Sequence, residues 1–275
     1  MDYDNEIMIL KKIINYEERI KEIAVIDKEV NISTMTICCN FEDTEIKCSR
    51  IAKYMKLGVH FIVARGDESL LKDKHKKKKD LDNKKKRPFL NQISLKILVP
   101  GKNKNKPVNV KLFKNGSVQM TGCVTLQDSL DAIVRVSIAL LANEYDEEKK
   151  KKIRFCDRKN LISKVSKYQI GMINSNFSIG FWIDRNRLLQ VLKDDNLDVM
   201  FDSNSHASVK IKHLICQIVV TILVFEKGKI IITGVRNYNQ LKNAYDFINK
   251  TLLTHYSKIY KLTTDIVLKI SKNTL

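Results

Sequence analysis

The chain has 275 residues and carries 50 Lys and Arg against 31 Asp and Glu, a formal charge of +19 with a pI near 9.6. Such an excess favours a polyanionic partner, either nucleic acid or an acidic protein, through long-range attraction and counterion release. No apolar run approaches the roughly 20 residues that cross a bilayer, the longest lying near Leu214 to Phe225, so no membrane partner is expected.

The length suits one two-part domain with short extensions. Residues 1–29 begin MDYDNEIMILKKIINYEERIKEI, charged throughout, and read as an N-terminal helical extension and not as a secretory signal, so an intracellular protein is expected. Ile32 to Phe41, ISTMTICCNF, reads as a strand. A Lys-rich insertion at 66–88 follows, with Lys76 to Lys79 and Lys84 to Arg87 as blocks of positive charge. Such runs bury too little apolar surface to fold alone, and solvated or weakly helical chain is expected there. The strand Ile93 to Val99 is joined by the polar loop Pro100 to Pro107 to a hairpin, VKLFKNGSVQMTGC, from Val110 to Cys123. A helix is predicted from Leu126 to Ala142, and a basic linker at 146–164 leads to a second strand and helix in Tyr168 to Leu188. A second hairpin, ILVFEKGKIIITGV from Ile222 to Val235, precedes a helix from Tyr238 to Leu253 and a C-terminal extension at 257–275.

The two hairpins align without a gap on the frame F-x-x-G-x-x-x-x-T-G. Phe113, Gly116, Thr121 and Gly122 stand against Phe225, Gly228, Thr233 and Gly234, and the same spacing sets Ala132 against Ala244. An internal duplication predicts two matched halves, the first being about thirty residues longer between first strand and hairpin, where the Lys-rich insertion lies. In each copy a polar pair before glycine marks a tight turn between β-prone runs. Alternation puts Phe225, Lys227, Lys229, Ile231 and Thr233 on one face and Val224, Ile230 and Ile232 on the other. Helices can cover only one side, which leaves a partly apolar face as a binding surface. The competing reading is a strand buried on both sides in an ordinary core.

The cysteines Cys38, Cys39, Cys48, Cys123, Cys156 and Cys216 include no C-x-x-C pair, and the five histidines have no ligand spacing, so reduced thiols and neither metal nor cofactor are expected. There is no G-x-S-x-G, Walker loop or H-E-x-x-H, and an enzyme is not expected.

The duplicated hairpin-plus-helix unit resembles the TATA-box-binding protein family, over residues 30–145 and 165–256. With its Lys, Ile and Asn bias and basic insertion it is similar to the TATA-binding-protein-like factors of large cytoplasmic DNA viruses. The resemblance implies an α+β fold, a pseudo-twofold saddle of curved antiparallel sheet with helices on the convex face. It implies a transcription initiation factor that binds A·T-rich double-stranded DNA in the minor groove, with apolar wedges kinking the duplex, a mode for which this family is a familiar example. A general transcription factor IIB-like protein and RNA polymerase machinery are the implied partners, at work in the host cytoplasm (a viral factory) or the nucleus, or packaged in the virion.

On the same resemblance, Phe113 and Phe225 match the hairpin phenylalanines beside base steps, Thr121 and Thr233 match threonines near the middle of the saddle, and Lys229 matches a phosphate-facing lysine. Lys227, Leu223, Ile231, Asn115, Ser117 and Gln119 complete the DNA-facing candidates of the two hairpins. His206, in FDSNSHASVKIK, stands where a second wedge phenylalanine is expected, and its counterpart in the first half is either Phe61 or Phe89. Lys111, Ser117 and Gln119 make the first hairpin more polar where the second has Leu223, Lys229 and Ile231. Two central asparagines of the family fall at Val30 and Met172, with Asn31 and Asn174 one or two residues away, and a one-residue slip would exchange the faces.

The alternative function is a duplicated helix-grip scaffold that holds a protein or an apolar ligand, with the lysine run serving only as a nuclear-import signal. Deleting residues 74–87 separates the two views of that run. If its lysines neutralise phosphates, the deletion should weaken binding to specific and random duplexes alike and flatten the salt dependence by about 0.9 log unit for each phosphate no longer neutralised. Binding titrations at several salt concentrations check this. An unchanged slope with a changed cellular distribution would make the run an address.

Overall fold

The computed structural model describes residues 2–23, 26–58, 60–65, 72–73, 91–101, 106–142, 144–146 and 150–262. Backbone proximity divides the chain into two units, Met1–Ile20 with Thr34–Gly171, and Lys21–Ser33 with Met172–Leu275.

The N-terminal segment forms α1 (Tyr3–Ile13) and α2 (Tyr16–Ile23). The first unit then contains most of β1 (Asn31–Phe41), α3 (Cys48–Tyr54), β2 (Phe61–Arg65), β3 (Lys72–Asp73), β4 (Gln92–Ile97), β5 (Val108–Phe113), β6 (Ser117–Cys123) and α4 (Leu126–Leu141). Its strands lie in the antiparallel order β1-β6-β5-β4-β2-β3. Alternation is clean: Met35, Ile37, Cys39 and Phe41 of β1 are buried, as are Ile93, Leu95 and Ile97 of β4 and Val108, Val110 and Leu112 of β5. Against that face packs α4, which buries Leu126, Leu130, Ala132, Ile133, Val134, Val136 and Leu140. The stretch expected as a linker is folded onto this unit. Its strand β8 (Lys151–Ile153) pairs with β7 (Glu144–Asp146), and Phe155, Cys156, Leu161 and Ile162 are buried.

Helix α1 lies on α4, where the Tyr3 hydroxyl donates to Asp131 Oδ1 at 2.6 Å. Burial first, and then this carboxylate, raise the Tyr3 pKa. Arg19 donates to the carbonyls of Ile14 (2.7 Å) and Tyr168 (3.2 Å), and the Tyr168 hydroxyl, 2.6 Å from Ser129 Oγ, ties the start of β9 (Val165–Ser178) to α4.

The second unit repeats the plan with the rest of β9, α5 (Arg185–Asp194), β10 (Asp198–Met200), β11 (Ser208–Ile215), β12 (Ile218–Phe225), β13 (Lys229–Val235), α6 (Tyr238–Thr254) and α7 (Tyr256–Ile259). The strand order is β10-β11-β12-β13-β9. Val209, Ile211, Val220, Ile222, Val224, Ile230 and Ile232 face the helices and are fully buried, as is Ala244 on α6.

The duplication extends to backbone detail. Thr125 caps α4 by accepting from Asp128 N, while Asp128 accepts from Thr125 N and Val124 N. Asn237 caps α6 by accepting from Gln240 N, and Gln240 accepts from Arg236 N at 2.8 Å. Caps of this kind, reciprocal at α4, satisfy N–H groups at and just before a helix start. At the hairpin tips, Gly116 N donates to Phe113 O and Gly228 N to Phe225 O, both at 3.0 Å. Both glycines have positive φ, 84° and 77°. The Thr-Gly pairs have their own reason. Gly122 and Gly234, at φ 88° and 96°, lie at the points where β6 and β13 shift register against β1 and β9. A left-handed residue is what such a bulge requires.

A Cβ on Gly116 would come within 2.4 Å of Phe41 O, and one on Gly228 within 2.2 Å of Phe181 O. Gly116→Ala or Gly228→Ala should therefore cost more than the ~1–2 kcal/mol of placing a side chain in the left-handed region, because a backbone carbonyl must also move. Gly180→Ala, at φ 77° with nothing within 4 Å of the added atom, isolates the conformational part. Urea unfolding should give a lower midpoint for the first two substitutions than for the control. Equal midpoints would refute the steric argument.

Candidate nucleic-acid interface

In each unit the side chains that alternate with the buried ones form a face turned away from the helices. Cross-strand register assembles them into rows. In the first unit Thr36, Thr121, Asn109 and Lys96 are successive partners across β1, β6, β5 and β4. The next row is Cys38, Gln119, Lys111 and Ser94, and beyond it Asn40 pairs with Ser117, and Phe113 with Gln92. In the second unit the matching rows are Asn174, Thr233, Thr221 and Lys212, then Asn176, Ile231, Leu223 and Lys210. Ser178 pairs with Lys229, and Phe225 with Ser208. Thr121, Thr233, Phe113, Phe225, Leu223, Ile231, Ser117 and Gln119 are all half-buried and Lys229 is exposed. None is core. Apolar residues thus stand on both faces of the second hairpin, as its sequence predicts.

Polar groups on these faces are held in place. The Thr233 hydroxyl donates to Asn174 Oδ1, and Asn109 Nδ2 donates to Thr121 Oγ1 at 3.5 Å. Asn40 Nδ2 donates to Ser117 Oγ at 3.1 Å, and Asn176 Nδ2 to Ser33 Oγ at 2.6 Å. The faces are also cationic: among the described residues, no carboxylate forms an ion pair with Lys96, Lys111, Lys210, Lys212 or Lys229. Carboxylates cluster at the hairpin tips instead. Glu226 pairs with Arg185 at 2.9 Å and with Lys261, whose hydrogen bond is the main cause that lowers its pKa. Glu45 is likewise held by Lys47 and Lys114.

Several sequence expectations are refined. Lys227 does not share the strand face of Lys229: it lies in the turn, exposed, with its ammonium 5.5 Å from the centre of the Trp182 ring. Counting by twos fails there because the turn breaks the alternation. Asn115 is also a turn residue, and its Oδ1 accepts from Ser117 N at 3.2 Å. Phe61 pairs with Ile97 and so points to the helix side, where it lines a cavity of about 600 Å³ with Met55, Phe155 and Ile138. Phe89 lies outside the described residues. His206 is exposed in the loop before β11, two residues ahead of Phe225's partner Ser208, and its N–H donates to Asp202 O at 2.8 Å. Of the asparagine candidates, Val30 is buried, Asn174 faces Thr233, and Thr36 holds the corresponding place in the first unit.

Sequence reasoning missed Thr36, Cys38, Asn40, Asn109, Lys96, Thr221, Asn176, Lys210 and Lys212. The alternation along β1, β4, β5, β9, β11 and β12 carries them, but their phase is set only by knowing which residues meet the helices.

Residues 168–255, from β9 to the end of α6, match the family model for transcription factor TFIID, the TATA-binding protein. A TATA-box-binding protein-like protein of Acanthamoeba polyphaga mimivirus is 31% identical over 254 residues, 85% of this chain and 67% of the viral one. The chain belongs to the TATA-box-binding protein family. Its α+β fold is shared with the TATA-binding protein of Methanococcus jannaschii, with a TM-score of 0.54 and 15% identity over 82% of this chain and 99% of the archaeal one. The matched residues 168–255 begin in β9 and run through the strands and α6 of the second unit.

Proposed function

We propose that the chain is a transcription initiation factor whose open sheet faces bind double-stranded, A·T-rich DNA in the minor groove and bend it. The observation that carries this reading is the half-exposed phenylalanine, Phe113 or Phe225, at the end of each uncovered face, whose other rows hold threonines and lysines that form no ion pair among the described residues. The floor of the minor groove offers few distinguishing polar groups, so strands bearing aliphatic and hydroxyl side chains suit it, while lysines meet phosphates. Aromatic rings at the hairpins serve as wedges that unstack a base step, and the bend brings more phosphate within reach of the protein. DNA bent in this way would be presented to a IIB-like factor and to the polymerase, wherever in the infected or host cell that DNA is transcribed. A scaffold holding an apolar ligand would be favoured by a covered face. In each unit the face turned from the helices is uncovered among the described residues, which supports the nucleic-acid reading.

Phe113→Ala with Phe225→Ala should weaken duplex binding by at least tenfold, given the ~1–3 kcal/mol that an aromatic contact with a base contributes. Fluorescence energy transfer across an end-labelled duplex should report a smaller bend. Circular dichroism establishes that the variant is folded. Native affinity and bending in a folded double variant would show that these rings do not touch DNA.

A further inference from the structure

The rows that differ most between the two repeats are the middle ones. Where the second unit places Ile231 opposite Leu223, the first places Gln119 opposite Lys111, on the same strands, in the same register and at similar half-burial. The rows on either side are closer in kind, threonine answering threonine and phenylalanine answering phenylalanine.

Resting on the minor-groove reading, we infer that the two faces demand different base composition: the second excludes G·C pairs and the first accepts them. In the minor groove the four base pairs share acceptors, and G·C adds one donor, the guanine 2-amino group. Against Ile231 and Leu223 that amine loses water and finds no acceptor, and an unsatisfied buried donor is costly. Gln119 carries a carbonyl oxygen that accepts from it. Lys111 can only donate, and the acceptors it needs are present in every pair, so it adds affinity without preference. Gln119 and Ile231 are therefore the specificity-determining pair, and the binding site is asymmetric, with an A·T-only half under the second repeat.

The test uses full-length protein and duplexes selected from a random pool. A single A·T to G·C change is placed in each half of the selected site, with two base analogues beside it. Inosine removes the amine from guanine, and 2,6-diaminopurine adds it to adenine. One half should lose about tenfold in affinity with guanine or diaminopurine and recover with inosine, in line with the usual cost of a mismatched pair, while the other half changes by less than about threefold. Ile231→Gln should relieve the sensitive half, and Gln119→Ile should make the tolerant half sensitive. Equal penalties in both halves, or a penalty that inosine does not remove, would overturn the inference and leave the DNA-binding reading standing. Failure of the native protein to bind any duplex would overturn both. The analogue series needs no variant, so misfolding of a substituted protein does not blunt the test.

Discussion

At each hairpin tip a glycine sits in the left-handed region with a carbonyl oxygen so close that no side chain fits, Phe41 O over Gly116 and Phe181 O over Gly228. The close approach fixes more than a turn. Phe41 N donates to Gly116 O and Ile46 N to Lys114 O, while Ile179 N donates to Gly228 O and Ile183 N to Glu226 O, so the chain leaving β1 or β9 is laced to the tip in the same way in both repeats. Turn type and lacing together set the register of three strands in each unit, and a slip of one residue would exchange the buried and open faces throughout. The helix-facing core and the row structure of the open face are both consequences of that closure.

With register set, one face must be covered and the other is free. In each unit the capped helix, α4 or α6, supplies the cover, and full burial of Ala132 and Ala244 lets the helix approach the sheet closely. The open faces then carry what the helices do not need: hydroxyls, amides, ammonium groups and one phenylalanine per hairpin. Apolar side chains remain on the second open face although no helix among the described residues covers them. That feature conflicts with burial as the only pressure on the sequence and accords with the proposed DNA-binding face.

The first unit carries extra structure on its helix side. Helix α1 is fastened to α4 through Tyr3 and Asp131, and Arg19 and Ser129 hold Tyr168 where β9 begins. Such additions change what the covered side presents without changing the strand register, and the hairpin of this unit keeps the same turn as its partner.

The sequence by itself determined a good deal. The repeated frame located both hairpins, because glycine takes the left-handed turn and bulge conformations at least cost, and the period of two separated Val224, Ile230 and Ile232 from Ile231 and Thr233. It also marked the first hairpin as the more polar. It did not place Lys227 or Asn115, since alternation stops in a turn, nor decide whether Phe61 faced helices or open sheet, since a short run of mixed residues has no phase of its own. Only tertiary structure decided those matters. Pairing with Ile97 turned Phe61 toward the helices, the bulge at Gly234 set Asn174 beside Thr233, and the bulge at Gly122 gave the same place to Thr36. The physical reason is that a strand's side-chain direction is relative. It is fixed by neighbouring strands and by the helix that claims one face, and neither is a local property of the chain.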